Sequence, residues 1–99
     1  MKLWLDDVRE APKDWVRAYT ARDMIDLLEI YEDAVDEISL DHDLGNEEFG
    51  TGYDVMLWIE ERVSTDSGYQ IPKINFHTSN PVGRARMQMS LDAIKKNFK

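Results

Sequence analysis

Ile38-Ser39-Leu40-Asp41-His42-Asp43, residues 38–43, is an apolar run that breaks off into two carboxylates and an imidazole. Ile38 and Leu40 fall on one side of an extended chain, so residues 35–41 read as a strand with chemistry at its carboxyl end. The same form occurs twice more. Residues 2–6 hold Leu3-Trp4-Leu5 in a row, as expected of a strand covered on both faces, and run into Asp6-Asp7. Residues 71–77 form another strand, with Pro72 near its start, and end in His77-Thr78-Ser79-Asn80. A further strand over residues 15–19 follows the polar turn around Pro12.

Between these strands the apolar period changes from two to nearly four. Thr20-Ala21-Arg22-Asp23 has a hydroxyl cap with an acid three residues on, and Met24, Ile25, Leu28 and Tyr31 follow at helical spacing. Thr51-Gly52-Tyr53-Asp54 repeats the form before Val55, Ile59 and Val63. Asn80-Pro81 sets a cap residue before a proline at the first helical position, ahead of Met87, Leu91, Ile94 and Phe98. Four strands interleaved with three helices predict one α/β domain over residues 1–99 with a parallel sheet. Residues 7–14 are too few and too turn-like for a crossover helix.

Composition narrows the function. The 99 residues are 42% hydrophobic and 32% charged, a globular balance, and there is no cysteine for a disulfide, a thiolate metal site or a nucleophile. No stretch approaches the ~18 apolar residues of a membrane span, and the N-terminal apolar run is too short for a signal peptide. A cytoplasmic domain with no membrane contact is expected. The net charge of −8 is uneven: residues 1–72 carry nineteen acids against six bases, residues 73–99 one acid against six bases. Such a chain repels extended DNA, while its basic last quarter can hold one anionic group. Lys95, Lys96 and Lys99 read as complements to the negative end of the last helix.

Parallel α/β sheets bind ligands beyond the carboxyl ends of their strands, where both histidines and four carboxylates of this chain are expected to gather. Carboxylates crowded together resist ionising without a counter-charge, and a divalent cation with oxygen ligands supplies one. Asp6, Asp7 and Asp41 are therefore candidate metal ligands, with Asp43 either a fourth or a turn cap; Mg²⁺ or Mn²⁺ is the expected ion. His42 and His77 are candidates for acid and base in phosphoester cleavage, or for ligation of a softer ion. The start of the last helix favours an anion, and Thr78, Ser79, Asn80 and Arg84 are candidate phosphate ligands there. The run Gly45-Asn46-Glu47-Glu48-Phe49-Gly50-Thr51-Gly52 suggests a flap that could stack Phe49 or Tyr53 on a base; it has neither a P-loop ending nor GxGxxG. Trp58 reads as core.

Leu5-Asp6-Asp7-x-Arg9-x-x-Pro12, Ile38-Ser39-Leu40-Asp41-His42-Asp43-Leu44-Gly45, Thr51-Gly52-Tyr53-Asp54 with Trp58-Ile59, and His77-x-Ser79-Asn80-Pro81-x-Gly83-Arg84 together resemble the cyclic-phosphate-processing receiver-like domain family over residues 3–90. The resemblance implies a trimmed receiver-like (flavodoxin-like) fold: a three-layer sandwich with a mostly parallel sheet in strand order 2-1-3-4. It implies Asp6, Asp7, Asp41, His42, Asp43, His77, Asn80 and Arg84 as site residues, and cyclic phosphates on nucleotides or RNA ends as substrates. In ordinary receivers the acidic pair and Asp41 match the Mg²⁺ and phosphoacceptor positions, and Thr78 the switch hydroxyl. The fifth strand and the lysine after it have no counterpart here, and the two histidines are foreign to that pattern.

The favoured expectation is thus a metal-assisted phosphoesterase, with Asp41, His42 and His77 at the reacting centre. A module that binds a cyclic nucleotide or phosphorylated ligand without cleaving it comes second, and a phosphoacceptor switch at Asp41 third.

Overall fold

The computed structural model describes residues 1–45 and 47–97; Phe98, Lys99 and Asn46, which figure in the expectations above, lie outside the described residues. The strands are β1 (Lys2–Leu5), β2 (Trp15–Ala18), β3 (Glu37–Leu40) and β4 (Lys73–Phe76). The helices are α1 (Ala21–Tyr31), α2 (Gly52–Thr65) and α3 (Pro81–Asn97), with short 3₁₀ turns at Glu32–Ala34 and Glu47–Phe49. The sheet is parallel throughout in the order β2-β1-β3-β4. Each strand is one to three residues shorter than its expected run, β3 and β4 losing two residues at their starts and all four losing the last one.

Local chemistry starts each helix. Thr20 Oγ1 accepts from the Asp23 amide at 3.0 Å to cap α1. Thr51 and Asp54 form a reciprocal capping box on α2, each side chain accepting from the other's backbone N–H. Asn80 caps α3, its Oδ1 accepting from the Gly83 amide at 3.0 Å, with Pro81 at the first helical position. The helices then bury Met24 and Leu28, Val55, Met56 and Ile59, and Met87, Leu91 and Ile94 in one core. Trp58 packs half-buried against that core, edge-on to Tyr69 at 6.2 Å. Lys95 and Lys96 lie in the last turn of α3, where cations suit the helix dipole.

Strand register sorts the sheet into two unlike faces. Leu3, Leu5, Ala18, Ile38 and Leu40 are buried with Ile74 and Phe76 alongside, on the side that meets the helices. Trp4, Arg17, Ser39 and Asn75 share the opposite side. α1 packs against α2 and α2 against α3, so the helices form one layer over the apolar face. The expected third layer is corrected accordingly: among the described residues no helix covers the polar face. The short β1–β2 connection crosses it as a strap, with Trp4 Nε1 donating to the Arg9 carbonyl at 3.1 Å and the Arg9 guanidinium donating to the His77 carbonyl at 2.6 Å. The nine residues 6–14 can cross a four-residue strand extended, whereas a helix that long would leave none for the turns at its two ends. The apolar run in β1 therefore reflects Leu3 and Leu5 inside and Trp4 under the strap, not two helical layers.

Among the described residues no helix is long and apolar enough to cross a membrane. Burial pushes the Tyr69 phenol up to about 12. The folded chain thus keeps a proton that the unfolded chain releases near the ordinary tyrosine value of ~10. Stability is expected to be whole below that pH and to fall as pH rises toward 12. Urea unfolding between pH 9 and 11.5 checks this, with Tyr69→Phe expected to flatten the alkaline slope.

Candidate functional site

β1 and β3 are neighbours, and each carries its ladder one residue past its end: the Asp6 amide donates to the Ala18 carbonyl and the Asp41 amide to the Leu5 carbonyl, at 3.1 and 3.0 Å. Asp6, Asp7 and Asp41 thereby meet at the rim, each offering a carboxylate oxygen within 4.8 Å of the others. Asp6 is 1% exposed; its Oδ1 accepts from the Val8 and Arg9 amides at 2.8 and 2.9 Å. Asp41 Oδ1 accepts from the His42 amide at 2.8 Å.

Three like charges at this distance repel strongly in a partly desolvated site. Among the described residues no lysine or arginine pairs with any of the three carboxylates. Two guanidinium groups close by are engaged with backbone: Arg9 with the His77 carbonyl and Arg17 with that of Asp6. A compact, oxygen-only donor set lacking its own counter-charge fits a hard divalent cation of the Mg²⁺ or Mn²⁺ type. Asp43 does not join it. Its oxygens accept instead from His42 Nδ1 at 2.9 Å and from Asn80 Nδ2 at 3.1 Å, which leaves the candidate cation cluster at three aspartates rather than four.

The two histidines sit differently. His77 is largely buried on the polar face, stacked on Trp4 with ring centroids 3.7 Å apart and planes 3° apart. Its Nδ1 lies 2.7 Å from Ser39 Oγ and its Nε2 3.1 Å from Asp6 Oδ2, so both ring nitrogens have partners. Burial lowers its pKa from the ordinary histidine value, against the pull of the Asp6 hydrogen bond and charge. His42 has one partner, Asp43 at Nδ1, and its Nε2 makes no hydrogen bond among the described residues. The hydrogen bonds from His42 and then Asn80 hold the Asp43 carboxyl below the usual carboxylate range. The result is an Asn80–Asp43–His42 chain that fixes the imidazole through Nδ1.

The candidate phosphate ligands divide. Thr78 is buried, with Oγ1 accepting from the Asn80 amide, and Asn80 spends its side chain on Gly83 and Asp43. Ser79 and Arg84 are exposed at the start of α3, with no side-chain hydrogen bond among the described residues. The flap expectation is also revised. Gly52 opens α2, and Phe49 and Tyr53 both pack half-buried against the core, with Arg86 over the Tyr53 ring at 5.9 Å. Sequence reasoning passed over Arg9, Arg17 and Ser39. Ser39 could have been found: a hydroxyl between Ile38 and Leu40 points to the face opposite the core, where His77 at even spacing along β4 also lies.

Searches of curated proteins and of solved structures returned no match. A family profile described as the cyclic-phosphate processing receiver domain matches residues 1–93, the span that holds every strand and all three aspartates. With that match covering nearly its whole length, and with the sheet order and rim just described, the chain belongs to the cyclic-phosphate processing receiver domain family.

Proposed function

We propose that this protein is a metal-assisted phosphoesterase that opens a cyclic phosphate or cleaves another nucleotide phosphodiester. One observation carries the reading: among the described residues three carboxylates that no lysine or arginine pairs with meet at the rim where His42 follows Asp41, and the His42 Nε2 makes no hydrogen bond there. Asp6, Asp7 and Asp41 would hold the cation. Bound there, it would neutralise charge on the phosphate oxygens and draw an anionic substrate onto an acidic protein.

This chain's own residues do the rest. Asp43 fixes the His42 ring through Nδ1, so that Nε2 can take a proton from the attacking water. The water oxygen forms a new bond to phosphorus, one P–O ester bond breaks, and the proton passes from His42 to the departing sugar oxygen. Arg84 and Ser79 are proposed to meet the phosphate at the start of α3. The substrate is expected to be a small nucleotide or a cyclic phosphate at an RNA end, since the −8 chain repels a long polyanion.

Phosphorus NMR on cyclic mononucleotides, an RNA 2′,3′-cyclic end and a cyclic dinucleotide tests this. At least one substrate signal is expected to convert to an opened phosphate with Mg²⁺ or Mn²⁺, and not with EDTA. Conversion that proceeds unchanged in EDTA, or none with metal after prolonged incubation, would overturn the reading. A binding module for the same ligands is the second reading. It is favoured by His77, whose two nitrogens are both engaged, and retained ligand binding without product would support it.

A further inference from the structure

His77 has the residue type of an acid–base catalyst, yet its surroundings give it other work. A carboxylate accepts hydrogen bonds and cannot donate them, so the 3.1 Å contact with Asp6 Oδ2 requires a proton on His77 Nε2. In the neutral ring Nδ1 is then the acceptor, and Ser39 Oγ, 2.7 Å away, donates to it. The relay runs one way, from the Ser39 hydroxyl through the imidazole to Asp6. The ring cannot turn out of it, being stacked flat on Trp4 under the strap that Arg9 fastens to the His77 carbonyl. Its single basic nitrogen is used within the fold.

From this geometry we infer that His77 is a positioning residue for the metal-holding carboxylate Asp6, with Ser39 and Trp4 fixing its tautomer and ring plane, and that it does not exchange a proton with substrate. The inference rests on the metal-site reading above. Carboxylate ligands are held by outer hydrogen bonds, and Asp6 has three: two from the backbone of the strap and one from His77. Only the last can be removed by changing a side chain. Glutamine at position 77 can present an amide N–H toward Asp6 without any titrating group, whereas alanine presents nothing.

The test is Mn²⁺ binding followed by electron paramagnetic resonance on wild type, His77→Ala, His77→Gln and Ser39→Ala, with circular dichroism to confirm folding. His77→Ala is expected to weaken Mn²⁺ binding about ten- to a hundredfold, the range for losing a ligand's outer partner. His77→Gln is expected to recover most of that loss and to retain cleavage activity, and Ser39→Ala to fall between wild type and His77→Ala. Glutamine and alanine weakened alike, or glutamine binding Mn²⁺ normally while losing all turnover, would overturn the positioning role with the metal site intact. Failure of the wild type to bind Mn²⁺ would overturn the metal-site reading itself. Should His77→Ala not fold, the glutamine and Ser39→Ala variants decide the question.

Discussion

Gly52→Ala is expected to lower the melting temperature by roughly 8–16 °C. The cause is the seam between the functional rim and α2. A methyl group at this position would stand 2.1 Å from the Asp41 carbonyl oxygen and 2.9 Å from Met87 Sδ. Met87 can rotate; a backbone carbonyl cannot, because the Asp41 amide is fixed to Leu5 and the Gly52 amide itself donates to the His42 carbonyl at 3.2 Å. Overpacking of a rigid contact costs about 1–3 kcal/mol, and more when backbone must move. Alanine's better helix propensity offsets at most about 1 kcal/mol. A net loss of about 2 kcal/mol in a chain of this size shifts the midpoint by roughly 8–16 °C. Thermal unfolding by circular dichroism checks it, and a midpoint within two or three degrees of wild type would show that α2 can slide away from β3.

That seam also shows what could and could not be read in advance. The parallel sheet, its order and the starts of all three helices follow from alternation, caps and turn residues that act over a few positions, and those were legible. Asp6, Asp7 and Asp41 could be brought together because β1 and β3 deliver them at strand ends. The resemblance implies a third layer, although residues 7–14 are too few for the helix that would build it. A three-residue apolar run in β1 suggested cover on both faces, but the pairing register decides that Trp4 lies opposite the core. Side-chain partners beyond the rim were out of reach for the same reason: whether Asp43 turns to a cation or to His42 depends on Asn80, 37 residues away. Gly52 suggests a flap in the sequence, whereas in the fold it is a contact surface for the Asp41 carbonyl, as Gly83 is for the His42 ring.

His42→Ala is expected to reduce cleavage by about a hundred- to ten-thousandfold, the range for removing a positioned proton-transfer group, while leaving Mn²⁺ binding near wild type. The separation is possible because His42 serves the candidate metal ligand Asp41 through its backbone: the amide that donates to Asp41 Oδ1 is the same in alanine. The imidazole itself lies against α3, where a methyl group on Gly83 would approach His42 Cγ to 2.3 Å and Nδ1 to 2.7 Å. Gly83→Ala should therefore push the ring off Asp43 and reproduce much of the His42→Ala defect without touching the histidine. Both variants should still bind Mn²⁺, since Asp6, Asp7 and Asp41 are unchanged. Wild-type rates in His42→Ala would move proton transfer elsewhere. Loss of Mn²⁺ binding in either variant would instead make the histidine part of the cation's own support.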